Sequence, residues 1–193
     1  MPCDNTVASE NASPCESQFE TARIPKVTSV CQMCEDYAVR QAVKPVAVMC
    51  CEGACLRGEI ARQAANILCH ELLPGQTARI CLGGAFTKNT GQRGLVREAP
   101  RLIALEGCFI QCATRMMQGV LPGLLPEIVV ADALVDFDRD LFGIDEMPAA
   151  RIRELGLAVA RQVAAGLDRG TAAPVADAGL GSGPCMGQAR ATR

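Results

Sequence analysis

Short, wholly apolar runs alternate along this chain with amphipathic helical patterns, and that alternation restricts its fold more than any other feature. The run VAVM at 46–49 offers no polar side to water, as a strand buried on both faces requires. The segment 57–73 that follows sets Ile60, Ala64, Ile67 and Leu68 on one helical face and Arg57, Glu59, Arg62 and Gln63 elsewhere, and Pro74-Gly75 closes it. A weaker run, ARICL at 78–82, leads into Gly83-Gly84, and the polar, turn-rich stretch from Thr87 to Gly94 reads as a loop. The pattern then repeats. Residues 102–105 form an apolar strand, Glu106-Gly107 turns the chain, and a helix is expected from about Cys108 to Gln118. A third apolar run, EIVVADALVDF, precedes a last helix with Ile152, Leu155, Val159 and Val163 on one face and Pro148 near its first turn. Strands alternating with helices predict an α/β fold, a Rossmann-like parallel sheet with flanking helices.

The ends differ from this middle. Residues 1–43 are polar and without clear periodicity, and they carry Cys3, Cys15, Cys31 and Cys34. They read as a cysteine-containing N-terminal arm with one short helix around CEDYAVRQAV. Residues 44–167 hold the α/β domain, and 168–193 form a flexible tail rich in glycine and alanine that includes Cys185.

Size and charge exclude several function classes. A chain of 193 residues buries about 70% of its unfolded surface. Its net charge of −2 gives no footprint for nucleic acid or for an anionic membrane. No apolar run approaches the roughly 20 residues of a membrane span, and the first thirty residues lack the charged and apolar regions of a secretory signal. A reducing cytoplasm is the expected compartment. Twelve cysteines there point to metal or redox chemistry more than to a disulfide framework. No protein partner is legible.

The positions of those cysteines carry the functional reading. Cys50 and Cys51 end the first predicted strand, Cys81 ends the second, and Cys108 follows the third. Open parallel sheets bind ligands outside the carboxyl ends of their strands, so these thiols are expected to form a cluster at that edge. Cys108 and Cys112, read as four apart in the first turn of one helix, would share a face, and a helix N-terminus favours the thiolate that binds metal. A lone cysteine such as Cys69, inside a helix, is expected to be packing.

Three segments, CEGACLRGEIARQAA, ICLGGA and LIALEGCFIQCA, together resemble the DGC-domain family of proposed zinc-binding proteins, over roughly residues 45 to 135. That family runs a strand into C-S-G-A-S, later carries C-L-x-G, and ends a further strand in D-G-C-x-x-x-C-A. The resemblance implies that Cys51, Cys81, Cys108 and Cys112 hold zinc. The chain departs from the pattern at Glu106, where the family has aspartate, and at Glu52 and Cys55, where it has serines. With Cys50, six thiols are then available, two more than tetrahedral zinc requires. Cys50 and Cys55 are therefore possible additional thiols. An iron–sulfur cluster or persulfide-dependent thiol chemistry stands as the alternative to a metal-handling or structural role.

Other readings are weaker. Cys51-x5-Arg57 between a strand and a helix resembles the oxyanion loop of cysteine phosphatases and arsenate reductases. With twelve cysteines and many arginines about one such pair arises by chance, and Cys34-x5-Arg40 is a second. Gly58 also stands where those enzymes keep a hydroxyl residue. Cys31-x2-Cys34 has the spacing of half a zinc site or of a redox dithiol, and marks a possible second site. His70 is the only histidine, which excludes triads, so acid–base work would fall to Glu52, Glu106, Asp132 or the thiols.

Overall fold

The computed structural model describes residues 20–89 and 91–168. Their sheet has four parallel strands, β1 Val46–Cys50, β2 Thr77–Arg79, β3 Arg101–Glu106 and β4 Glu127–Val130, in the order β2-β1-β3-β4. This is the expected Rossmann-like α/β architecture. Every residue of β1 is buried, which is why its sequence shows no alternation. Val46, Val48 and Cys50 face one layer of helices, and Ala47 and Met49 face the other.

The first layer is α2, Leu56–Ile67, continued by a π-helical turn Leu68–Leu72, packed on α6, Ala149–Asp168. Leu56, Ile60, Ala64 and Ile67 meet Ile152, Leu155, Val159 and Val163, the stripes that the periodicity predicts. Pro148 precedes α6, and its carbonyl accepts from Arg151 and Ile152. The second layer holds α1 Gln32–Gln41, α3 Leu82–Thr87, α4 Gly91–Glu98 and α5 Cys112–Val120. The chain leaves β1 for β2 on one side and returns to β3 on the other. The helices after β1 and β3 therefore lie on opposite faces, and a crevice opens between the carboxyl ends of these two strands.

Three local expectations are corrected. The stretch from Thr87 to Gly94, expected as loop, ends α3 and begins α4. Its polar residues serve the helices: the Arg93 guanidinium donates to the Ala85 and Phe86 carbonyls at 2.6 and 2.5 Å, satisfying the open end of α3, while Gln92, Leu95 and Val96 are buried. The second strand is only three residues long and stops before Cys81, which instead opens α3. Finally, α5 starts at Cys112 rather than near Cys108. Residues 108–111 form a turn closed by the Gln111 amide on the Cys108 carbonyl at 3.2 Å, with Gln111 left-handed at φ 54°. Cys3, Cys15, Cys185 and the expected tail lie outside the described residues. The end of the expected arm that is described is a docked helix: α1 packs on α4.

Candidate functional site

The crevice between β1 and β3 is built by close backbone approach. Its two walls are the loop 51–55 and the turn 107–111. A Cβ on Gly58, in the first turn of α2, would stand 2.8 Å from the Gly53 carbonyl oxygen. One on Gly107 would stand 2.8 Å from the Arg57 carbonyl carbon and from the Gly58 nitrogen. Neither contact can be relieved by turning a side chain, so glycine at both positions lets each wall pack on the first turn of α2 through the main chain. The Cys51 amide also donates to the Leu105 carbonyl at 2.9 Å, joining the end of β1 to β3.

Four thiols line this junction. A Cβ on Gly53 would lie 3.3 Å from Cys51 Sγ and 3.6 Å from Cys55 Sγ, so both sulfurs flank one small space. Cys55 caps α2, its sulfur accepting from the Gly58 amide at 3.4 Å. Cys108 is half-buried, and burial pushes its thiol pKa up, with Asp132, Cys55 and Cys51 adding to the rise. At the start of α5, Cys112 is raised by burial first and then by Cys51, Glu106 and Cys108. Cys51 thus opposes the ionisation of both Cys108 and Cys112, and a cation among them would relieve that opposition.

Position within the second wall is set by Glu106. This residue is fully buried at the end of β3, and its carboxylate accepts from the Ala113 amide at 3.2 Å and from the Thr114 amide and hydroxyl at 2.7 Å each. It thus caps α5 from outside the helix and fixes where Cys112 begins.

Cys81 is the N-cap of α3, its sulfur accepting from the Gly84 amide at 3.4 Å. The Cys34 thiol on α1 is raised first by its hydrogen bond with Cys31, with Cys81 adding to the rise. Cys34 and Cys81 line an open cleft of about 470 Å³ with Tyr37, Glu52, His70 and Arg79. None of Cys51, Cys55, Cys108 or Cys112 borders that cleft. Of the four sulfurs that the family pattern groups, Cys51, Cys108 and Cys112 act on one another at the crevice, with Cys55 beside them, while Cys81 lines the cleft with Cys34. Cys50 points into the core. It is fully buried, burial pushes its thiol strongly up, and Arg79 donates to its sulfur at 2.8 Å and to Glu52 at 2.6 Å. Cys69 is buried packing, as expected.

The residues offered for acid–base work are all engaged elsewhere: Glu52 with Arg79, Glu106 as the cap of α5, and Asp132 with Arg57 at 3.3 Å. The Arg57 guanidinium also donates to the Leu141 and Arg139 carbonyls at 3.3 and 2.9 Å and sits over the Phe137 ring. It clamps the segment after β4 and is not free to cradle an oxyanion beside Cys51. Sequence reasoning missed the capping role of Glu106. The strand-end glycines were a visible signal, but what each one touches was not.

The donor chemistry fits a soft metal: four thiols on two walls held in register. Among the described residues, however, no three Cys, His, Asp or Glu side chains converge closely enough to hold a metal ion. Loading would therefore have to draw the sulfurs inward. No helix among the described residues is long and apolar enough to cross a membrane. The family model for the DGC domain matches residues 47–154, more than half of the chain. No curated protein and no solved structure matches it.

Proposed function

Because this chain belongs to the DGC-domain family, we propose that it is a thiolate metal-binding protein of a reducing compartment, with a metal-handling or structural role. Zinc is the metal that the family pattern implies. Cys51, Cys108 and Cys112 are its core donors. Cys55 is the fourth by proximity, and Cys81 is the fourth by the family pattern. The observation that carries this reading is the gathering of thiols from two loops at the switch point of a parallel sheet. Zinc bound there would cross-link the β1 and β3 loops, and its binding energy would count as folding energy. The oxyanion reading is not pursued, since Arg57 is turned to Asp132 and to the carbonyls of 139 and 141.

The test is metal and sulfide content of protein purified without oxygen, with thermal melts of single variants. About one zinc per chain is expected. It should be lost, together with thermal stability, in Cys108→Ser and Cys112→Ser. Cys55→Ser and Cys81→Ser then identify the fourth donor by which of them loses metal. Fully metallated Cys108→Ser and Cys112→Ser proteins, as stable as the parent, would refute the site. Iron with acid-labile sulfide and a brown colour would assign the same thiols to a cluster instead.

A further inference from the structure

The metal reading leaves Cys31 and Cys34 unused, and their setting is specific. Cys31 is the N-cap of α1, with its carbonyl accepting from the Cys34 and Glu35 amides at 3.0 and 3.2 Å. Both thiols are exposed. Three residues apart in the first turn, they stand on one side of the helix and interact with each other. Helix α1 is not a loose arm. The Glu35 carboxylate accepts from the Gly91 amide at 3.1 and 3.2 Å, and the Tyr37 hydroxyl donates to the Arg79 carbonyl at 2.8 Å. A Cβ on Gly91 would meet the Ala38 Cβ at 2.7 Å and the Cys34 carbonyl oxygen at 3.2 Å, so α1 and α4 touch along their main chains. The Lys88 ammonium donates to the Ser29 carbonyl, two residues before Cys31, which brings a cation to the same turn.

We propose that Cys31 and Cys34 form a redox dithiol that reduces low-molecular-weight disulfides. Cys31 is the attacking thiol and Cys34 the resolving one. Cys31 lies at the positive end of the helix dipole, beside Lys88 and facing solvent, whereas Cys34 sits further into the turn, toward Cys81. In the first step the Cys31 thiolate attacks one sulfur of the disulfide. A mixed disulfide forms and the other half leaves as a thiolate. The Cys34 thiol then gives up its proton and attacks Cys31 Sγ, forming the Cys31–Cys34 disulfide and expelling the second half as a thiolate. Two protein thiols are oxidised, one disulfide is reduced to two thiols, and the two protons pass to the departing thiolates. Backbone amides at the helix start and the neighbouring Cys34 thiol hold Cys31 below the usual thiol range, which agrees with its role. The pair uses none of Cys51, Cys55, Cys108 and Cys112 and stands whether or not the metal reading holds, although Cys34 shares its cleft with Cys81.

The experiment exposes the full-length protein to glutathione disulfide, quenches with alkylating agent, and follows the tryptic peptide 27–40, which contains these two cysteines and no other. The expected result is an internal disulfide in that peptide, formed faster than in the same peptide made synthetically. Cys34→Ser should trap glutathione on Cys31 about tenfold faster than Cys31→Ser traps it on Cys34. Both side chains are exposed, so both variants should keep the parent's circular dichroism. Two free thiols in the folded parent, a rate no greater than the synthetic peptide's, or equal trapping in the two variants would overturn the proposal. So would zinc that is bound by this pair and lost when either is replaced.

Discussion

Removing one charge at Glu106 should disturb this protein out of proportion to the change in size. Glu106→Gln keeps the shape and the oxygen that faces the Thr114 amide and hydroxyl, at 2.7 Å each. It replaces the second oxygen, which accepts from the Ala113 amide at 3.2 Å, by an amide group that can only donate. One hydrogen bond to a charged acceptor is lost, a buried N–H is left facing another donor, and the N-terminus of α5 loses its anion. The first two effects cost about 1–3 kcal/mol and the third about 1 kcal/mol, and since they act on one helix turn they do not simply add. We expect a loss of about 2–3 kcal/mol, which for a domain of this size lowers Tm by roughly 5–10 °C.

Urea unfolding of the metal-free protein, followed by far-ultraviolet circular dichroism, measures that loss without any contribution from zinc. Glu106→Asp is the control. It keeps the charge and matches the residue that the family carries, and it should cost about half as much as the amide. If Glu106→Gln unfolds at the same urea concentration as the parent, the carboxylate does not cap α5, and the argument that it fixes the position of Cys112 fails with it.

Two further outcomes are expected. Arg57→Ala removes the ion pair to Asp132, two bonds to carbonyls and the contact with Phe137, so it should cost about 2 kcal/mol in urea titrations while leaving metal content intact; an unchanged urea midpoint would show that Arg57 is not a clamp. Alkaline pH should destabilise the metal-free protein. Burial holds the Cys69 thiol above its ordinary value of 9.0, so the folded state keeps a proton that the unfolded chain gives up. Its contribution is complete below pH 9 and declines as pH rises beyond it, by at most about 1.4 kcal/mol per pH unit. Cys69→Ala should flatten that slope, and an identical slope would exclude Cys69 as its source.

The central strands and the two long helices were legible because burial on both faces, or on one stripe, leaves a pattern in sequence. Residues 46–49 could only be a doubly covered strand, and Ile152, Leu155, Val159 and Val163 could only be one helical stripe. The short helices α3 and α4 left no such pattern. Their glycines and polar residues resemble a loop, and what makes them helical is tertiary: Arg93 reaching back to the carbonyls of Ala85 and Phe86, and Gln92, Leu95 and Val96 turned inward. The placement of the thiols at the carboxyl edge of the sheet was readable from strand ends alone. That Cys34 and Cys81 share a cleft was not, because it depends on how α1 and α3 pack. Nor was the role of Arg57, whose spacing from Cys51 looked chemical and whose contacts are architectural.

Different surroundings are the basis for assigning two chemistries to these thiols. The cleft that holds Cys34 and Cys81 is bordered by Glu52 and Arg79, while the neighbours of Glu52 in sequence, Cys51 and Gly53, belong to the other thiol group. Glu52 pairs with a nearly buried Arg79, whose guanidinium is tied further to Asn66 and to Cys50. On one side, Cys51 opposes the ionisation of Cys108 and Cys112 at a junction held by close glycine contacts. Such a site gains by acquiring a cation. On the other side, two exposed thiols share one helix turn, with the helix dipole and a lysine favouring one of them as thiolate. Such a pair gains by reacting. A thiol cluster suited to metal must be kept from oxidation, and a dithiol suited to exchange must be kept from metal.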